Sequence, residues 1–337
     1  MRERVHMQQR ELGRTGIRIS EVGFGVWTIS TGWWGEYTEE QAVTLLRAAF
    51  DRGVTFFNTS NVYGDDGYGE RLIAKALGDK LDQVVIGTTV GYDITAERSG
   101  SGHAERPHDW SADSVRRSVE QSLVRLGADH IDLLQLHNPR MDALRDDALW
   151  ATLEALKSEG LVRAIGPSIG PAIGWRDEGV FAIEERPIDF IHHIYNLLEQ
   201  DPGREFTDLA ADREIGVLVR VPHSSGLLED AYTSETTFDA NDHRSHRPKE
   251  WLEDGLKKVE SLRFLQQGRE ATMGQVALKW LLSDPGITSV QPNFYGLEQI
   301  EEFVNASDVD EFDADELGEI DMLYRTNFGL DREPVRA

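Results

Sequence analysis

The chain has 337 residues, a formal net charge of −25, a hydrophobic fraction of 39% and no cysteine. The missing thiols exclude disulfides, cysteine nucleophiles and thiolate metal sites, and the acidity, without any basic stripe, argues against a nucleic-acid partner. No run reaches the roughly eighteen apolar residues of a membrane span, and Met1 to Arg10 is charged and polar rather than a signal core, so the expectation is a soluble, cytoplasmic chain with no membrane insertion.

The first element is a turn-rich segment, Gln8–Ser20, which carries Gly13 and Gly16 and reads as a β-hairpin. A repeated alternation of short β-rich apolar runs with longer amphipathic stretches follows, the pattern of βα units in a parallel sheet. Eight strands are expected, at Glu21–Trp27, Val54–Phe57, Val84–Gly87, Ile131–Leu136, Val162–Ile165, Phe190–Ile194, Val217–Val221 and Ile287–Val290. Helices are expected near Thr38–Arg52, Gly69–Leu77, Ala112–Leu126, Asp146–Glu159, Arg176–Glu184, Arg204–Arg213, Met273–Leu282 and Leu297–Val304. Thr38 followed by Gln41, and Ser111 by Ser114, mark helix starts, while Gly53 and Gly160 stand where helices should stop. The polar segment 223–249 is too long for an ordinary connector and is a candidate lid; extra helices are expected at Glu250–Gln267 and Asp313–Tyr324.

Eight such units form either a closed barrel or an open doubly wound sheet. The open sheet would want a G-x-G-x-x-G turn opening a helix after the first strand. Here Gly23-Phe24-Gly25-Val26-Trp27 runs into a polar, Trp-rich loop. The expected fold is therefore one α/β domain over residues 1–337, a (β/α)8 TIM barrel with an N-terminal hairpin, a long loop after strand seven and extra C-terminal helices. Chemistry in such a barrel sits just after the strands, where the chain places Asn58, Thr59, Ser60 and Tyr63, then Thr88, Thr89, Tyr92 and Asp93, His137 and Asn138, Ser168, Tyr195, His223 and Asn293.

Longer stretches carry a resemblance: Glu11-Leu12-Gly13-Arg14-Thr15-Gly16, Gly53-Val54-Thr55-Phe56-Phe57-Asn58-Thr59, Val62-Tyr63-Gly64, Asp132-Leu133-Leu134-Gln135-Leu136-His137-Asn138-Pro139, Tyr195-Asn196-Leu197-Leu198 and Ala277-Leu278-Lys279-Trp280-Leu281. Together they resemble the aldo-keto reductase family over nearly the whole chain, most of all the branch with bacterial reductases and potassium-channel β subunits. The resemblance implies NADPH-linked reduction of aldehydes and ketones by a tetrad of Asp, Tyr, Lys and His. By position the tyrosine is Tyr63 and the histidine His137, but Asn58 stands for the aspartate and Thr89 for the lysine.

In the family the lysine, held by the aspartate, lowers the pKa of the proton-donating tyrosine. Losing one member of a buried ion pair strands a charge at about 3–5 kcal/mol, whereas neutralising both can be nearly neutral, so the paired change reads as a coordinated replacement that leaves the pocket without its usual cation. Three readings follow. Tyr63 as acid and His137 as orienting group still support reduction of a small carbonyl compound; or the barrel runs a lyase, dehydratase or isomerase reaction with Tyr63, His137 and His192 or Asp93 as proton carriers; or it is a non-catalytic nucleotide-binding regulatory subunit.

The cofactor loops depart as well. No Lys or Arg occurs from Leu281 to Tyr324, so the clamp for the NADP 2′-phosphate is missing, and NADP or NAD stays open between family habit and these residues. Arg220 replaces the ring that stacks on nicotinamide in the family; it reads equally as an anion ligand or as a structural ion-pair partner. Ser168 matches the family's contact to the nicotinamide amide, His192 replaces a glutamine of strand six, and Gln299 and Glu302 match adenosine contacts. Trp27, Trp34 and Tyr92, with Trp33, are expected at the mouth as an aromatic substrate wall. His103, His108, His243 and His246 lack metal-ligand spacing, so no metal is expected, and the oligomeric state is not legible.

Overall fold

The computed structural model describes residues 7–96, 105–170 and 175–331. His103 and residues 171–174 therefore lie outside the described residues. The chain opens with an antiparallel hairpin, β1 (Gln9–Glu11) and β2 (Arg18–Ser20). Its turn needs left-handed backbone at Gly13 (φ 52°) and Gly16 (φ 72°), a conformation that only glycine adopts without strain. At Gly13 even a methyl group would meet the Glu214 carbonyl at 2.4 Å, so the hairpin lies directly on the barrel floor.

Eight parallel strands follow: β3 (Phe24–Gly25), β4 (Phe56–Asn58), β5 (Val85–Val90), β6 (Ile131–His137), β7 (Val162–Ser168), β8 (Phe190–Ile194), β9 (Gly216–Arg220) and β10 (Ile287–Gln291). The barrel closes where Val22 bridges Val290 in parallel, with Gly23 N donating to Val290 O at 2.9 Å. All eight expected strands are present. The first is shorter than Glu21–Trp27, because Trp27 already begins a single helical turn, α1 (Trp27–Ser30).

The connecting helices are α2 (Glu39–Asp51), α3 (Tyr68–Leu77), α4 (Ala112–Leu126), α5 (Met141–Arg145), α6 (Asp147–Ser158), α7 (Arg176–Glu185), α8 (Gly203–Ala211), α9 (Lys249–Ser261), α10 (Met273–Leu282), α11 (Leu297–Phe303) and α12 (Ala314–Arg325). The α2 start is a reciprocal cap: the Thr38 side chain accepts from Gln41 N while the Gln41 side chain accepts from Thr38 N. That satisfies two of the donors a helix N-terminus leaves unpaired. Gly53 (φ 92°) and Gly160 (φ 78°) end helices in left-handed conformation. The short helices α1 and α5 escaped the reading because four or five residues carry too little period to register.

The core has two parts that matter for the site. A shell between strands and helices contains Val54, Leu72, Leu134, Ile165 and Val219. Inside the barrel, Phe56, Leu133, Phe190 and Leu218 pack on Leu12 and Ile19 of the hairpin. This floor leaves only the carboxyl ends of the strands open. No described helix is long and apolar enough to cross a membrane.

Candidate active site

Directly above the apolar floor lies a polar layer. Asn58, Gln135, His192 and Gln291 come from β4, β6, β8 and β10, alternate strands of the barrel, as layered barrel interiors require. They form one hydrogen-bonded chain. Gln291 Nε2 can only donate, so His192 Nε2 accepts at 3.1 Å; His192 Nδ1 then carries the hydrogen and donates to Gln135 Oε1 at 2.7 Å, and Gln135 Nε2 donates to Asn58 Oδ1 at 2.5 Å. Burial holds the His192 pKa well below its usual value, so every member is neutral. The close fit needs Gly87, where a Cβ would lie 2.7 Å from Asn58 Oδ1. Gln135 and Gln291 were missed in the sequence, although a glutamine inside an apolar strand was the available signal.

Above this layer stand Tyr63 and His137, with ring centroids 6.1 Å apart at an interplanar angle of 85°. Both line a single cleft of about 1040 Å³ at the barrel mouth, at the upper end of the roughly 300–1,000 Å³ usual for ligand sites. His137 is 8% exposed. Its Nδ1 lies 3.1 Å from Thr89 Oγ1 and 3.3 Å from Ser60 Oγ, and those two hydroxyls are 2.5 Å apart. Thr89 thus holds the histidine from behind and does not itself line the cleft. Burial, with a smaller contribution from Arg220, lowers the His137 pKa to about 3, so the ring is neutral and its Nε2 has no described partner. Burial also raises the Tyr63 pKa, and the Arg220 guanidinium opposes that rise.

The expectation of a pocket without a cation is corrected at this point. Arg220, the last residue of β9, lines the same cleft as Tyr63, Tyr92 and His137. The positive charge of this cleft thus stands at the end of the seventh barrel strand. The structural alternative for Arg220, an ion pair, is not realised among the described residues: its Nη2 donates to the Ile169 carbonyl, and its buried Nε has no partner.

The rim is aromatic. Tyr92 meets His137 at 4.7 Å and stacks on His108 at 4.4 Å; its hydroxyl donates to Glu105 and accepts from Asn138. Trp27 contacts Trp33 and Trp34, both at 6.1 Å. The segment after β9 reaches this cluster, with His243 N donating to Trp33 O and the His243 ring 5.5 Å from Trp27. Arg244 lies over Trp34 at 3.7 Å.

The positions matched to cofactor contacts do not all meet. His192 and Arg220 line the cleft. Ser168 is buried in register between His137 and His192. Gln299 and Glu302 sit on α11 outside the cleft lining, where the Glu302 carboxylate accepts from Thr272. On the loop after β10, the Tyr295 hydroxyl donates to Glu229, whose carboxyl also lies 3.0 Å from His223 Nδ1, while His223 Nε2 donates to the Gly274 carbonyl.

A (β/α)8 barrel with a tyrosine and a histidine facing one cleft at its strand ends defines a class of reductase-like barrels, and the comparisons agree. The model of the aldo/keto reductase family matches residues 21–325. Aldo-keto reductase YhdN of Bacillus subtilis is 30% identical over 83% of this chain and 82% of its own length. The NADH-specific methylglyoxal reductase of Escherichia coli is 30% identical over 92% and 96%. The structure of the glycerol dehydrogenase AKR11B4 from Gluconobacter oxydans superposes with a TM-score of 0.80 over 98% and 99%, at 23% identity, which speaks for the fold alone. The chain belongs to the aldo/keto reductase family, and by class it is an NAD(P)-dependent oxidoreductase.

Proposed function

We propose that the protein reduces a small aldehyde or ketone, with Tyr63 as the proton donor and NADH preferred over NADPH. The observation that carries this reading is the shared cleft of Tyr63, His137 and the Arg220 guanidinium. The donor set suits a dinucleotide: Ser168 is buried at the strand ends, and the Tyr295 hydroxyl donates to Glu229 with no Lys or Arg in this stretch of chain. When bound, the nicotinamide supplies the hydride.

The side chains supply the rest. Tyr63 gives its phenolic proton to the carbonyl oxygen as negative charge develops there, a role worth about 10²–10⁴-fold. Burial alone makes the tyrosinate left behind costly, and the positive field of Arg220 lowers that cost. His137 is neutral, and the hydroxyls of Thr89 and Ser60 can satisfy its Nδ1 from behind. Its Nε2 then donates to the same oxygen and orients it. The tryptophan and tyrosine walls keep water away from the reacting atoms.

The test is a fluorescence titration of purified protein with NADH and NADPH, followed by cofactor consumption over a panel of carbonyl compounds. NADH is expected to bind about tenfold more tightly, roughly 1.4 kcal/mol. Absence of binding to either at near-millimolar concentration would sink the reductase reading.

A further inference from the structure

The described cleft lining holds five arginines, Arg71, Arg106, Arg140, Arg220 and Arg247, against one carboxylate, Glu105. That balance is the reverse of the whole chain, which has 60 acidic and 35 basic residues. Two of the five are accounted for by local partners. Arg71 bonds Asp66, and Arg140 lies over Trp175 at 3.5 Å and 3.7 Å from Glu105.

The other three are different. Arg106, Arg220 and Arg247 each bury an Nε without a hydrogen-bond partner. None of the three has a carboxylate within ion-pair distance among the described residues. Their hydrogen bonds go to neutral groups: Arg106 donates to the Ala96 carbonyl, Arg220 to the Ile169 carbonyl, and Arg247 to the Ser225 hydroxyl while its guanidinium lies 4.8 Å from the Trp251 ring; the charges of Asp93 and Glu199 act on Arg106 and Arg247 only from beyond ion-pair distance. Elsewhere in this acidic chain arginines find carboxylates readily, as Arg116 does with Glu159 and Arg263 with Asp230. All three side chains are half-buried, and a guanidinium N–H shut off from water without an acceptor is costly. Three around one cavity call for a ligand that brings the acceptors.

Resting on the reading of this cleft as a carbonyl-reducing site, we propose that its substrate is an oxyanion-bearing carbonyl compound, a small oxo acid or a phosphate ester, whose anionic group is held by Arg220 with Arg106 and Arg247 nearby. A planar guanidinium matches carboxylate and phosphate oxygens through two parallel N–H bonds. A neutral carbonyl compound leaves those donors unmet. The anionic group is unchanged by the reaction; the carbonyl carbon takes the hydride and its oxygen the Tyr63 proton.

The experiment reads tryptophan fluorescence, since Trp27, Trp33 and Trp34 line the cleft. Pyruvate and dihydroxyacetone phosphate are titrated against neutral counterparts, hydroxyacetone and dihydroxyacetone, first without cofactor and then with saturating NADH. At least one anion is expected to bind about tenfold or more tightly than its counterpart, and which one does so separates carboxylate from phosphate. Arg220→Gln is expected to reduce that preference at least tenfold, with partial recovery in Arg220→Lys, which keeps the charge but not the fork. Should Arg220→Gln not fold, Arg247→Gln at the rim must reduce the preference instead. Equal binding of charged and neutral compounds by the unaltered protein would overturn the proposal, as would a preference that survives these substitutions. Disappearance of the preference once NADH is present would assign the guanidinium to the cofactor diphosphate and overturn it too. Because no turnover is involved, an intact anion preference without NADH binding would remove the reductase reading alone.

Discussion

Thr89 Oγ1 lies 3.1 Å from Nδ1 of His137, so Thr89 serves the histidine rather than the tyrosine. The cation of the Tyr63 cleft comes instead from Arg220, at the end of β9, the seventh barrel strand. The two neutral side chains Asn58 and Thr89 belong to separate hydrogen-bond networks.

Tyr63→Phe removes the proton while keeping the ring edge against His137. Turnover should fall by at least about a hundredfold, the lower end of general-acid contributions, with NADH affinity measured separately by fluorescence. Undiminished turnover would place the acid elsewhere.

Thr89→Val deletes the closer of the two hydroxyls at His137 Nδ1 and leaves only Ser60 at 3.3 Å. The ring loses its fixed tautomer, and kcat should drop roughly tenfold, equivalent to about 1.4 kcal/mol, with a smaller change in KM. A change confined to KM would mean that Thr89 contributes to binding and not to orientation.

Asn58→Asp alone places a carboxylate in the neutral layer, where Gln135 donates to it but none of the other three members carries a charge. An unpaired buried charge should cost about 3 kcal/mol of stability, read from the denaturant midpoint. The double change Asn58→Asp with Thr89→Lys supplies the counter-ion, so its cost should fall short of the sum of the two single changes, and reductase activity should rise. Additive losses would show that the layer no longer accommodates the ion pair.

Acid should unfold the protein early. Burial lowers the pKa of His137 to about 3 and of His193 to about 4, with His192 also well below its usual value. Unfolded histidines titrate near 6.5, so between pH 6.5 and about 4 the unfolded chain binds protons that the folded chain refuses. Stability then falls with falling pH, by up to about 1.4 kcal/mol per pH unit for each such histidine; it is fully present above pH 6.5. Urea midpoints that stay flat from pH 6.5 to 4.5 would show that these rings are not held neutral.

The βα alternation, the hairpin, the helix caps at Thr38 and Ser111 and the address of the site at the strand ends were all legible in the sequence. Each rests on local period or on a spacing of a few residues: apolar runs in phase with a strand, a capping side chain three residues from its target, a glycine where the backbone must turn left-handed. Tyr63, His137, Trp27 and Tyr92 could be placed together because one rule, chemistry at the carboxyl ends of barrel strands, converts sequence position into a common location.

What no local pattern contained was pairing between distant segments. Asn58, Gln135, His192 and Gln291 form a chain only because alternate strands aim them at the same level of the barrel. Arg220 looked equally like an ion-pair partner or an anion ligand, and its charge state of affairs depends on which carboxylates the fold brings near; among the described residues it brings none, while setting Tyr63 and His137 in the same cleft. Gln299 and Glu302 show the opposite outcome, since matching positions in sequence did not bring them into the cleft lining. Periodicity determined which elements exist; hydrogen bonding and charge compensation, which act through space over a few ångströms whatever the separation along the chain, were decided only when the barrel closed.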